Sequence, residues 1–205
     1  MKGWRKCKNC GTSFEKKRPL QSCCDPICAW EWVKKLKEKK EKREWNSRKK
    51  ELKITSHAKE YKKELQRELN KLSKKIDLKL GFKCIDCGKD YGKQIDASHF
   101  HNTNNYGNIR YNLHNVHASK SDCNQWGRGR KPEYYLGLVE RYSKEYADFI
   151  RYELPNKYKV LSLDPKQVFK ALTIVRKLNR EFDTFDITNG IKARDLFNGI
   201  IGLYK

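Results

Sequence analysis

The sequence predicts a small α+β protein in which metal-stapled modules ride on long basic helices. Three observations carry this prediction. Only 37% of the 205 residues are hydrophobic while 35% are charged, too little apolar material for one large core. The eight cysteines fall in two separate clusters, within residues 7–28 and 84–123. Between and after those clusters, apolar residues recur at helical spacing.

Residues 1–28 are short, polar and cysteine-rich, punctuated by Gly11, Pro19 and Pro26, and read as strands and turns. Residues 29–55 are dominated by Lys, Arg and Glu. From Val33 to Lys53 there are 11 basic and 4 acidic residues, and Glu and Lys three or four apart favour a solvent-exposed helix. Residues 57–80 form a second helix with an apolar stripe, Leu65, Leu69, Leu72 and Ile76. That seam of about two heptads either packs on the next module or pairs with a second chain. Residues 81–131 are rich in Cys, His, Asn and Gly. A helix starts near Pro132, with Tyr135, Leu138, Val139 and Tyr142 on one face. Asp164-Pro165 reads as N-cap and first turn of another, followed by Val168, Leu172, Val175 and Leu178 on one side, and a last helix runs through Arg194 to Leu203. There are no internal repeats, and the two cysteine pairs resemble each other only in being pairs.

Lys and Arg number 47 against 25 Asp and Glu, a formal charge of +22. Such a field calls for a polyanionic partner, and nucleic acid is the leading one, because phosphate neutralisation releases counterions. A membrane surface is excluded as partner, since no basic helix carries a broad apolar face. No run of about eighteen apolar residues is present. The segment Met1 to Lys6 lacks the apolar stretch of a signal peptide. Cysteines in that setting point to metal sites rather than disulfides.

Cys7-x2-Cys10 followed by Cys24-x3-Cys28 places four thiolates around one structural zinc, which substitutes for a missing apolar core. Cys23 is the alternative to Cys24, which is preferred because Cys24-Asp25-Pro26-Ile27-Cys28 reads as a knuckle entering a helix. A closed four-thiolate site is structural, so chemistry belongs elsewhere. Phosphodiester hydrolysis needs an activated water, neutralised phosphorane charge and a stabilised leaving oxygen. His99 is the candidate base. Asn115 either bonds the backbone of the long loop or orients the His99 imidazole. Asp96, the only carboxylate near His99 in sequence, and Asn124 are oxygen ligands suited to Mg²⁺ or Mn²⁺.

The order Cys84-x2-Cys87, Asp96-Ala97-Ser98-His99, Arg110-Tyr111-Asn112, Asn115-Val116-His117 and Cys123-Asn124-Gln125 resembles the HNH (ββα-metal) nuclease motif. More specifically it is similar to the NinG/Rap recombination proteins of lambdoid phages. The resemblance covers roughly the first three quarters of the chain and is most specific over 84–125. It implies a zinc knuckle at 1–28, a basic helical connector at 29–80, an HNH core at 81–131 and a helical region at 132–205. It also implies a structure-selective endonuclease in phage recombination, acting on Holliday junctions or D-loops in the cytoplasm of a bacterial host, with a phage recombinase as a further expected partner; a junction with two-fold symmetry is best cut by two active sites, which makes a homodimer the expected assembly. Two departures stand out. Ser98 occupies the position where many HNH enzymes carry a metal-binding Asp, which leaves Asp96 or His101 to serve. Lys120 stands where the first Cys of a second pair belongs, so a second zinc would rest on Cys84, Cys87 and Cys123. His117 would then be its fourth ligand, or Lys120 and packing replace that zinc altogether. Arg110, Arg128, Arg130 and Lys131 are the expected phosphate contacts, with the lysines of 34–53 gripping a neighbouring arm and Trp126 either core or a stacking platform. A nicking enzyme of homing or restriction type and a non-catalytic zinc-stapled recombination mediator are the competing readings.

Overall fold

The structure is a computed structural model that describes residues 3–126, 131–158 and 161–204. It is helix-rich α+β, with two small two-stranded sheets, and divides into compact units at 1–53 and 54–205.

In the first unit, β1 (Trp4–Lys6) pairs antiparallel with β2 (Ser13–Glu15). The turn between them is closed by the Gly11 N–H donating to the Cys7 carbonyl at 2.9 Å, with Gly11 at φ 79°. Its core holds little beyond Phe14 and sulfur: Cys7, Phe14 and Cys23 are buried, with Cys24, Cys28 and Trp32 packed on them. The long helix α1 (Pro26–Ser56) buries only Ile54, as expected of a helix whose Lys and Glu residues alternate around its whole circumference.

The second unit is organised by α2 (Ala58–Lys79). Leu65, Leu69, Leu72 and Ile76 are fully enclosed against Val168, Leu172 and Val175 of α7 (Pro165–Arg180) and Phe197 of α8 (Gly190–Ile201). The stripe is therefore occupied within its own chain and is not a surface for a second copy. Asp164 caps α7 in a full capping box with Gln167, and Asn189 caps α8, each side chain satisfying backbone N–H groups of a first turn.

The opposite flank of α2 carries β3 (Ile95–His99) and β4 (Val116–Lys120), antiparallel with Asp96 opposite Ser119 and His99 opposite Val116. Two 3₁₀ turns, Gly107–Ile109 and Leu113–Asn115, lie in the loop between the strands. The Ser73 hydroxyl donates to the Val116 carbonyl at 2.6 Å, the Ala118 N–H to the Asp77 carboxylate at 2.7 Å, and the Lys74 ammonium to the Ile95 carbonyl at 2.9 Å. α3 (Ser121–Trp126) follows β4 directly.

α4 (Lys131–Arg141) packs so tightly on the Cys84–Cys87 turn that a Cβ on Gly137 would collide with the Ile85 carbonyl. Its innermost residues are Tyr134 and Leu138. Tyr134, rather than Tyr135, enters the core, because its hydroxyl finds the Ser98 carbonyl at 3.1 Å while Tyr135 reaches the Asp148 carboxylate near the surface. α5 (Lys144–Asp148), a π turn (Phe149–Glu153) and α6 (Leu154–Lys157) complete the unit. These short pieces carry no sustained periodicity and were not expected. Among the described residues no helix is long and apolar enough to cross a membrane.

A buried ionic cluster joins the layers. Arg194 of α8 and Asp77 of α2, both fully buried, pair at 2.7 Å, and Arg141 of α4 reaches the other Asp77 oxygen at 3.3 Å. Arg194 also donates to the Leu113 carbonyl and the Tyr142 hydroxyl.

Candidate functional site

Two sets of sulfurs converge. In the first unit, Cys7, Cys10, Cys24 and Cys28 have all their sulfurs within 4.8 Å of one another, with Cys10 and Cys24 at 3.6 Å. A tetrahedral zinc with Zn–S near 2.3 Å requires sulfur separations of roughly 3.8 Å, so the set can hold zinc. Cys23 lies outside it, buried beside Phe14. The Cys10 backbone N–H, directed at the Cys7 sulfur, holds that thiol down to about 5, poised as the thiolate that zinc binds.

In the second unit Cys84, Cys87 and Cys123 converge in the same way. Burial and the neighbouring sulfurs of Cys87 and Cys84 push Cys123 up to about 12. Such a group ionises readily only when a cation joins it. This set supplies three ligands, one fewer than a closed structural zinc uses, and fits zinc less completely than the first. Contrary to expectation the two Cys pairs share a local design: Gly88, at φ 66°, donates its N–H to the Cys84 carbonyl at 2.9 Å, repeating the Gly11–Cys7 turn. Only glycine takes this left-handed conformation without strain.

His117 is not brought to that cluster. Its Nδ1 lies 2.9 Å from the Tyr134 hydroxyl, its ring is fully buried, and its Nε2 has no partner among the described residues. On the same face of β4 it is Ser119, two residues on, whose hydroxyl reaches the Cys84 sulfur at 3.7 Å, while His117 is held one step back against Tyr134 of α4. Burial, with Arg194, Arg141 and His114 nearby, holds His117 well below its usual value. The folded state thus keeps it neutral, whereas the unfolded chain binds a proton below about 6.5. Stability from this group is complete above that pH and is lost as pH falls toward the folded value. Urea unfolding of wild type and His117→Gln at about pH 7 and about pH 5 is expected to show the wild type losing its advantage by up to about 1.4 kcal/mol per pH unit. Parallel pH curves for the two proteins would contradict this.

The hydrolytic candidates gather around β3. Asp96 and Ser98 share one face of the strand, and residues 97 and 99 the other. Asp96 therefore lies on the side of β3 where an Asp at position 98 would lie, one pleat nearer the start of α3. There its carboxylate accepts from the Ser121 hydroxyl at 3.0 Å and the Asn124 amide at 3.3 Å. Turning the Asn124 amide over presents its oxygen to the same point, so these two residues can offer a hard cation two oxygen ligands. His99 is half-buried, and its Nε2 sits 3.2 Å from the Gln66 amide nitrogen of α2, while the Gln66 oxygen accepts from the Arg110 guanidinium at 3.2 Å. Burial, and secondarily the Arg110 charge, lower His99 to about 4. Asn115 takes the first of its two expected roles. Its amide accepts from the His101 N–H at 2.8 Å and donates to the His101 carbonyl at 3.0 Å, locking the chain just beyond His99, and it does not touch the imidazole. His101 turns away into the core, with Nε2 2.8 Å from the Ile150 carbonyl, and is not available beside Asp96.

A cleft of about 690 Å³ runs between α2 and β3 and is lined by Lys63, Gln66, Arg67, Lys71, Lys74, Asp96 and Asn124 among others. A larger groove of about 900 Å³ in the first unit, beside Leu20 and Trp32, is lined by Cys23, Cys24 and Asp25 and contains none of the hydrolytic candidates. Lys131 is exposed at the start of α4. Arg128, Arg130 and the side chain of Trp126 lie outside the described residues. Gln66 was missed from sequence, because it is 33 residues from His99 and carries no local motif.

Fold and site together define a strongly basic α+β protein with cysteine clusters that can hold zinc and a histidine-bearing hairpin beside a cationic cleft. A family profile described as "NinG: Bacteriophage Lambda NinG protein" matches residues 2–181, and the chain belongs to the NinG family. It is also similar to "Protein ninG" of Escherichia phage lambda, 34% identical over 67 residues, a stretch that covers 33% of each chain. The chain thus spans about a third of the length of this curated relative. No solved structure matches.

Proposed function

We propose that the protein is a metal-dependent endonuclease of the HNH type that hydrolyses phosphodiesters in branched DNA during phage recombination. The observation that carries this reading is His99 bonded to Gln66, which Arg110 in turn holds, on the same strand that brings Asp96 to Asn124. A divalent cation such as Mg²⁺ or Mn²⁺ at Asp96 and Asn124 would supply charge neutralisation on the phosphate and leaving oxygen. The chain's own residues do the rest. With Gln66 as donor, the lone pair of His99 Nε2 faces α2 and its proton sits on Nδ1. A water taking the place of the Gln66 amide gives its proton to Nε2 as its oxygen attacks phosphorus, the P–O bond to the leaving oxygen breaks, and that oxygen takes a proton from solvent. A low proton affinity keeps His99 free to accept at neutral pH. Asn115 holds the chain beyond β3 so that the imidazole keeps its direction. Arg110 is placed to pair with a phosphate oxygen next to the cleaved bond. The charge of +22 supports DNA as the substrate, and membership of the NinG family supports a role in phage recombination.

The test is cleavage of a labelled four-way junction and its linear duplex control, in Mg²⁺, in Mn²⁺ or with no added divalent cation. Wild type is expected to cut the junction only with metal, and His99→Ala to fall by about 10²–10⁴-fold. Tight binding without cutting in either metal would make the protein a binding module. Equal cutting of both substrates would remove the branched-DNA preference.

A further inference from the structure

We infer that the DNA strand entering the site is held by one face of α2, through the row Lys63, Arg67 and Lys71. The inference rests on DNA being the partner, as proposed above, and adds the surface that grips it.

Four points carry it. The three residues recur at steps of four, so they share one face of the helix and rise about 6 Å from one to the next. That step is close to the spacing of successive phosphates along one strand. All three are exposed and line the cleft that also contains Asp96 and Asn124, so a backbone lying along the row runs toward the proposed ligands. None of the three makes an ion pair among the described residues, whereas Glu64 and Glu68 of the same helix are engaged by Arg176 and Asn179 of α7. The acidic side chains of this stretch are thus drawn to the α7 flank, and the cleft flank is left cationic. Finally, Gln66 and Lys74 of α2 bond to His99 and to the Ile95 carbonyl, so the row is tied to the strand that carries the proposed base and cannot drift from it. A solvated lysine face with no partner would need neither the cleft nor that tie. Contacts of this kind position DNA without reading its sequence.

The test is equilibrium binding of the whole chain to a fluorescein-labelled four-way junction with no added divalent cation and no chelator, followed by anisotropy across a salt series. Wild type is compared with K63Q/R67Q/K71Q and with K170Q/K177Q/R180Q, which removes the same charge from α7. Thermal melts confirm that all three proteins are folded. Loss of three phosphate contacts should reduce the slope of log K against log salt by roughly 2.7, while the α7 variant stays close to wild type. An unchanged slope in the α2 variant, or equal losses in both, overturns the inference and leaves the nuclease reading intact. Absence of salt-sensitive binding by wild type would sink DNA as the partner altogether. Binding without cleavage would sink the nuclease and leave the α2 surface standing.

Discussion

Cys24→Ser, or dialysis against a strong chelator, is expected to unfold the first unit while leaving the second folded. The reason is the poverty of its core. Phe14, Cys7 and Cys23 are its buried hydrophobic residues, and two strands of three residues cannot stand alone in water. Structural zinc contributes apparent free energies of about 10–16 kcal/mol in small modules, far more than burial of one phenylalanine, at about 1.5–3 kcal/mol. Zinc content by atomic absorption, together with near-ultraviolet dichroism from Trp32, would follow the loss. Cys23→Ser should retain the metal, since Cys23 lies outside the converging set. A Cys24→Ser protein that kept both zinc and its Trp32 signal would refute the assignment.

Asp77→Ala should destabilise the second unit by about 3–5 kcal/mol, measured by urea unfolding. The substitution leaves the Arg194 guanidinium buried without its carboxylate and strips the Ala118 N–H of its acceptor. Removing charge from both partners, as in Asp77→Leu with Arg194→Met, should cost less than the sum of the single changes, because the fully buried Arg194 is no longer left uncompensated and only Arg141 still loses its carboxylate. Junction cleavage should fall with Asp77→Ala as well, since Asp77 fastens α2 to β4 and so sets how Gln66 meets His99. Strict additivity of the two single variants would show that the pair is not acting as a unit.

The contrast between these features and those readable in the chain is instructive. Cysteine spacing, the Asp164 cap and the Leu65–Ile76 stripe are local signals, and each names an element without knowledge of what lies across from it. The strand-borne Asp96 and His99 and the α3 residue Asn124 were legible for the same reason, through their order. Arg194, by contrast, reads as an ordinary surface cation, since nothing near it in sequence announces Asp77, 117 residues away. His117 reads as a spare ligand because it is the nearest one to the Cys84, Cys87 and Cys123 set. Its position two residues short of Ser119 on the strand, and the hydroxyl of Tyr134, decide that it packs in the core. Gln66 escaped notice between two leucines of the stripe, and its role comes from a helix–hairpin packing that periodicity does not encode.

α2 has no idle face. One side is committed to α7, a second to the hairpin through Ser73 and Asp77, and a third to the cleft. Inserting or deleting a single residue in it would turn everything downstream by about 100°, throwing all three registers out at once. α1, which buries one residue in its whole length, could absorb the same change as a shift in reach. Lineages of this protein should therefore vary freely in the length of their first helix and almost never in that of the second.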